Sequence, residues 1–438
     1  MNILILTRSH PFKAAGIVAY DLMKSLKIGS DHKVKVLVKE WVKHEDSDII
    51  TIDNAFEHWI NYILYFFYRI WRKAMRTMFK GFQTPEEKFR SNFNLDFIFE
   101  HNMDRTYYSS EKILKRAQIE PDVLIVLFMT DYISFKNLYE IHKKTGAKVI
   151  LYLMDMAPIT GGCHYAWDCK GYLKSCGKCP ALYSNSDIDQ SRRNWEFKKK
   201  YIEQTDLTVI AATEYQFRQL QNSSLFENKL KKKILLSVDQ ETFKPTDKTE
   251  ARNYFKLPLN EKVLFFGAVT ASEKRKGFKE LVEALKLLKT MSPNLLLHLA
   301  IAGNASNLLT SELPYNYTLL GYLDYNSLSK AFNAADVFLS PSIEDSGPMM
   351  INQSITCGTP VIAFDIGVAQ DLVINMITGY LAEIGNVKEL AFGIKQILSI
   401  NFSEQELMKE NCLNLFSHLL SPKIQFEEFN LIINEIKN

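Results

Sequence analysis

"SPSIEDSGPMMINQSITCGTPVIAF", residues Ser340–Phe364, decides the reading of this chain. A strand closes at Ser340, and two carboxylates, Glu344 and Asp345, follow it. Gly347–Pro348 opens a helix that runs toward Cys357, and Gly358, Thr359 and Pro360 lead into an apolar run, Val361–Phe364, of strand length. Strand, loop, helix, turn and strand in this order build a parallel sheet covered by helices. Acidic groups at the carboxyl end of such a strand suit the hydroxyls of a sugar, as acceptors. Helix capping is their other common role.

The same alternation extends in both directions. Upstream, strands are predicted at Val263–Phe266, Leu295–Ala302, Tyr317–Leu320 and Val337–Ser340, with a helix at Phe278–Met291. A first series has strands at Asn2–Thr7, Val34–Val38, Asp122–Phe128, Lys148–Leu153 and Thr208–Ala212, with helices at Ile17–Leu26 and Phe135–Lys144. Between the two series "QETFKPTDKTEARNY" is polar and contains proline, so it reads as a linker, with a junction near Lys244. The expectation is two doubly wound domains, 1–244 and 245–421, facing across a cleft. Ligands of open parallel sheets bind beyond the carboxyl ends of the strands.

The chain has 438 residues and a formal net charge of +3, too little to make nucleic acid the main partner. The opening "MNILILTRSH" does not read as a signal peptide. No stretch reaches the roughly 18 apolar residues of a membrane span. A cytoplasmic location is expected, where cysteines are thiols or metal ligands.

One segment belongs to neither series. His58–Pro85 contains no acidic residue, and Ile60, Leu64, Phe67, Trp71, Met75, Met78 and Phe82 recur at helical spacing. Arg69, Arg72, Lys73, Arg76 and Lys80 fall mostly on the other side. Over 58–82 this is the pattern of an interfacial helix at a membrane surface, or of a core-packing helix with a basic solvated side.

"LFFGAVTASEKRKGFKELVEAL", Leu264–Leu285, ends a strand at a glycine and starts a helix after a basic loop. Backbone amides at the helix start, with Lys274, Arg275 and Lys276, suit a diphosphate. Together with "LLGYLDYNSLSKAFNAADVFLSPSIEDSGPMMINQSITCGTPVIAFDIGVAQDLV", these residues resemble the retaining family-4 glycosyltransferases of the GT-B fold, from about Val263 to Ala382. The stretch "TGGCHY…CGKC" is similar to a subgroup that builds bacterial surface polysaccharides.

The resemblance implies that Lys276 and Arg275 hold the diphosphate of a nucleotide sugar, and that Asp345 or Glu344 binds the transferred sugar. It further implies that Gly347 belongs to the donor site, that Gln353 meets the ribose, and that Gly16 lets the backbone approach the donor. The resemblance also implies that no catalytic metal is required, because in the mechanism of such enzymes the leaving diphosphate itself draws the acceptor proton. The chain departs from the family's usual arginine at Ala268, from its usual glutamates at Asp345 and Gln353, and from its usual histidine at Met154. The implied acceptor is a growing, lipid-linked oligosaccharide at the inner membrane surface. Residues 422–438 are expected to cross back onto the first domain. The alternatives are a weak or inactive nucleotide-sugar-binding relative and a zinc-dependent oxidoreductase or hydrolase.

The Cys-rich loop, 160–182, holds four of the six cysteines: Cys163, Cys169, Cys176 and Cys179. Four thiolates suit one tetrahedral, structural zinc, which would staple a loop of low hydrophobicity. Unlinked thiols, or disulfides in an exported chain, are the alternatives. His164 is a candidate catalytic residue, a fourth zinc ligand in place of Cys163, or a structural histidine. Thr160, Gly161 and Gly162 beside it suggest close approach of a ligand.

Overall fold

The computed structural model describes residues 1–438 except 13–15, 42, 44–45, 85–86, 88–92, 271, 305–310 and 437–438. In chain order the elements begin β1 (Asn2–Thr7), α1 (Ile17–Lys27), β2 (Lys33–Val38), β3 (Ile49–Thr51), α2 (Ala55–Met78), α3 (Ser110–Ala117), β4 (Val123–Val126), α4 (Phe135–Thr145), β5 (Lys148–Leu153), α5 (Gln190–Gln204), β6 (Leu207–Ala211), α6 (Glu214–Asn222) and β7 (Leu230–Lys233). They continue with α7 (Lys248–Phe255), β8 (Lys262–Thr270), α8 (Phe278–Met291), β9 (Leu297–Asn304), β10 (Asn316–Gly321), α9 (Tyr325–Ala334), β11 (Val337–Ser340) and α10 (Met349–Thr356). The last elements are β12 (Val361–Phe364), α11 (Ala369–Leu372), β13 (Gly379–Ala382), α12 (Val387–Ser399), α13 (Phe402–Leu415) and α14 (Pro422–Glu435).

Among the described residues one sheet has seven strands, ordered β3-β2-β1-β4-β5-β6-β7, and the other six, ordered β10-β9-β8-β11-β12-β13. β1 pairs in parallel with β2 and β4, so Ile5 lies between Val36 and Ile125. β8 pairs in parallel with β9 and β11, placing Leu264 between Leu299 and Val337. The runs NILILT, VLIV and VIAF are buried almost throughout, as strands covered on both faces must be. Alternate residues of β8 feed two cores. Leu264 and Phe266 join Phe278, Leu281 and Leu285 of α8, whereas Val263 and Phe265 join Phe332 and Phe338.

Two compact units result: Met1–Ile210 with Leu220–Lys232, and Ala211–Gln219 with Lys233–Asn438. The second unit therefore takes in chain well before the expected junction at Lys244. The presumed linker is also structured. Lys248–Phe255 is a helix, capped by Asp247, whose side chain accepts a hydrogen bond from the amide of Glu250. Its Arg252 is buried and pairs with Asp336 at 2.8 Å. The segment expected to cross back to the first domain forms α14. Gln425 of that helix accepts a hydrogen bond from Ser237 and donates one to the carbonyl of Leu235, both residues of the second unit.

Candidate functional site

In the six-stranded sheet the strand order reverses between β8 and β11, and the loops after these two strands carry the site residues. The carboxyl side of such a reversal is where open α/β sheets bind ligands. After β8 the chain makes one tight turn, Lys274–Lys276, and Gly277 starts α8. Gly277 has a φ of 66°, and a Cβ there would lie 1.7 Å from the carbonyl oxygen of Pro341. Only glycine satisfies both the left-handed conformation and this approach. The carbonyl of Arg275 accepts a hydrogen bond from the amide of Ile343 at 2.9 Å, tying the two loops together.

Asp345 sits where the loops meet. Its Oδ2 is 2.6 Å from Lys276 Nζ and 3.0 Å from the Arg275 guanidinium, while its Oδ1 accepts from the Gly347 amide at 3.3 Å. Burial alone would raise the carboxyl pKa. The charges of Lys276 and Arg275, with hydrogen bonds from Lys276 and the Gly347 amide, bring it below the ordinary carboxylate range. Arg275 also pairs with Glu273 at 2.8 Å. Glu344 and Gln353 are buried nearby in sequence, Gln353 on α10. Ala268 ends the buried part of β8 opposite Gly303. Asp345 thus does more than the sequence implied, because it holds both diphosphate candidates in place.

Sequence reasoning missed the supports of this loop. Thr213 donates to the carbonyl of Ser346 at 2.9 Å, and a Cβ at Gly347 would press on the Thr213 methyl at 2.9 Å. Gly367, with φ of 57°, passes within 3.2 Å of the Asp345 carbonyl as measured from a Cβ built there. Thr213 is too remote in sequence to signal this contact, but Gly367 follows a strand and was visible in "FDIGVAQ".

In the first unit, Gly16 caps α1, and a Cβ on it would overlap the carbonyl oxygen of His10 at 1.9 Å. His164 is half-buried, with Nδ1 2.8 Å from Asp155 Oδ2. Burial opposes its charge, but Asp155 overcomes this and raises its pKa above the usual histidine value. Met154 is the last position before this Asp. The glycines next to His164 are required by the packing of the chain itself. A Cβ at Gly161 would lie 2.3 Å from the Ser191 carbonyl, and one at Gly162 would lie 2.6 Å from that of Glu100. Lys198 was also missed. It is fully buried, donates to the carbonyls of Ala157 at 2.6 Å and Thr160 at 2.8 Å, and burial lowers its pKa to about 7.

Cys163, Cys169, Cys176 and Cys179 line one cavity of about 20 Å³, with Thr160, Gly161 and Ser191. Contrary to expectation, the loop has a small core of its own, in which Phe97 and Ala181 join Cys163 and Cys179, with Trp167 and Leu182 against them. All four cysteines are free thiols. Cys163 and Cys179 hydrogen-bond to each other, and burial pushes Cys176 up to about 12. Among the described residues no group of three or more His, Cys, Asp or Glu side chains is already disposed to hold a metal ion. As they stand, Cys163 and Cys179 belong to that small core and Cys169 packs against it.

Comparison with solved structures then places the whole architecture. The chain is similar to sucrose-phosphate synthase from Thermosynechococcus elongatus, with a TM-score of 0.66 at 16% identity over 100% of this chain and 99% of that one. It is also similar to Anabaena HepE in complex with UDP-glucose, with a TM-score of 0.62 at 15% identity over 99% and 100% of the two chains.

The fold is GT-B.

Residues 249–413 match the model of glycosyl transferases group 1. These residues hold the Lys276–Asp345 pair and both of its loops. Among curated relatives, D-inositol 3-phosphate glycosyltransferase of Pseudarthrobacter chlorophenolicus is 30% identical over 156 residues, 33% of this chain and 36% of that protein. Processive diacylglycerol alpha-glucosyltransferase of Acholeplasma laidlawii is 27% identical over 144 residues, 31% and 41% of the two. The matches thus span little more than a third of these relatives' length.

Proposed function

We propose that the chain transfers a sugar, with retention, from a nucleotide-sugar donor to a growing, lipid-linked oligosaccharide at a membrane surface. The observation that carries this reading is the Lys276–Asp345–Arg275 cluster at the strand reversal of a GT-B sheet, inside the segment that matches glycosyl transferases group 1. Two cations at the start of a helix suit a diphosphate. The bound nucleotide of HepE makes a uridine diphosphate sugar the first donor to try. In this reading Arg275 and Lys276 grip the diphosphate and offset the charge that builds as it leaves, while the Glu344–Asp345 loop orients the sugar. Positioning and charge stabilisation do the work, so the protein supplies no base of its own.

A thermal-shift screen of uridine and guanosine diphosphate sugars tests donor binding, since a ligand of the folded state raises the melting temperature. Release of the nucleoside diphosphate then tests turnover. No shift and no release with any donor would refute the reading.

Asp345→Asn is expected to act twice. It removes the charge that holds Lys276 and Arg275, so the melting temperature falls. The loss should lie below the roughly 3–5 kcal/mol of a fully buried broken pair, because Lys276 is partly exposed. It also changes the ranking of two donors that differ at one hydroxyl. Glu344→Gln is the control for the neighbouring carboxylate. Equal kcat/KM ratios for the two donors before and after Asp345→Asn would remove the sugar-orienting role.

A further inference from the structure

The helix α2 runs for 24 residues without one buried side chain. Its length is about 36 Å at 1.5 Å per residue. The sequence left open a core-packing role for this helix, and the burial pattern excludes it. Trp59 is 58% exposed, Phe67 61% and Trp71 47%. Phe56, Ile60, Ile63, Phe67, Ile70, Ala74 and Met78 recur every three or four residues, which puts them on one side of a helix. Arg69, Arg72, Lys73 and Arg76 fall on the opposite side. Arg72 and Arg76 also reach Glu87, at 3.3 and 2.5 Å.

The helix is fixed at its beginning. Asn54 and Glu57 cap it reciprocally, Lys112 bridges Asp53 at 2.8 Å and Glu57 at 3.1 Å, and Trp41 stacks on His58 at 4.8 Å. The aromatic and basic residues beyond this base are left to the outside.

We propose that α2 is a surface anchor that lies along an anionic lipid membrane, with its aromatic face among the acyl chains and its arginines and lysines at the headgroups. Charge complementarity selects this occupant. There is no acidic residue from His58 to Thr84, and a basic side opposed to an apolar one with tryptophan and tyrosine at its margins is the composition of an interfacial helix. Among the described residues no helix is long and apolar enough to cross a membrane. The proposal deepens the proposed function by naming the surface where transfer occurs, and in that respect rests on it. Vesicle binding needs neither donor nor acceptor, so its failure and a failure of transfer are separate results.

The test is co-sedimentation of the full chain with vesicles of phosphatidylglycerol and phosphatidylcholine, and with phosphatidylcholine alone. Binding is expected to the anionic vesicles and to weaken with salt. The double variant Phe67→Ser/Trp71→Ser should abolish it, and Arg69→Glu/Lys73→Glu should weaken it at least about tenfold. Each replaced side chain is exposed, so circular dichroism and melting of the rest should stay as in the unmodified chain. Protein that remains in the supernatant with anionic vesicles, or a Phe67→Ser/Trp71→Ser variant that still sediments, overturns the proposal. A dimer that dissociates in that variant, without vesicle binding, assigns the face to a second copy of the chain and overturns it equally.

Discussion

Lys276→Ala is expected to lower kcat by about a hundredfold or more, with a smaller change in donor affinity. In the free protein the Lys276 ammonium lies 2.6 Å from Asp345, so its charge is already offset before a donor arrives. A bound diphosphate would bring negative charge to the same turn, and one further charge develops on it as the sugar–oxygen bond breaks. An interaction that strengthens during that step appears in kcat rather than in the dissociation constant. After removal of Lys276, Arg275 must serve Glu273, Asp345 and the diphosphate together. Arg275→Ala should therefore have the smaller effect on turnover. Its carbonyl, which holds the Ile343 amide, belongs to the backbone and survives the substitution. Steady-state kinetics with one donor, alongside its dissociation constant from the thermal shift, separates the two effects. Transfer at the unmodified rate would remove the diphosphate assignment.

The site was legible in the sequence to the extent that it is local. Lys276 sits next to the glycine that turns the chain, and Asp345 lies five residues beyond a strand end. The contact between them spans 69 positions, and nothing in either loop announces it. The same distinction governs the fold. Asn2–Thr7, Lys148–Leu153, Val337–Ser340 and Val361–Phe364 coincide with the predicted strands, because apolar runs bounded by turn residues have one reading. The strands at Ile49–Thr51, Leu230–Lys233 and Gly379–Ala382 went unread. They are short, and Leu230–Lys233 is largely lysine. The helix Lys248–Phe255 was hidden by its polarity, since its buried contribution includes an arginine paired with Asp336. The burial of Lys198 depends on carbonyls 38 and 41 residues away, so no local pattern could indicate it.

Purified protein is expected to carry close to one zinc per chain under reducing conditions, and Cys176→Ser is expected to lose it. The proposal rests on four sulfurs around one cavity of about 20 Å³, close to the space of a single small occupant. The turn that presents two of them is unusual. Cys176, Gly177 and Lys178 all have positive φ, at 55°, 95° and 46°. Two of these are not glycine, and such conformations persist only where the surroundings enforce them. To bind the ion, the Cys163–Cys179 hydrogen bond must give way to bonds from both sulfurs to the metal.

The effect of losing zinc should be confined to the loop. Phe97, Trp167, Ala181 and Leu182 pack there without a metal, and Asp189 accepts from the Cys179 amide at 2.9 Å at the start of α5. Hydrogen exchange should therefore accelerate sharply over 160–189, because metal binding is coupled to local folding, while the six-stranded sheet keeps its protection. Elemental analysis decides first. Less than about half an equivalent of zinc would mean that the four thiols act as small apolar side chains closing their own core, where a four-ligand site requires a full equivalent.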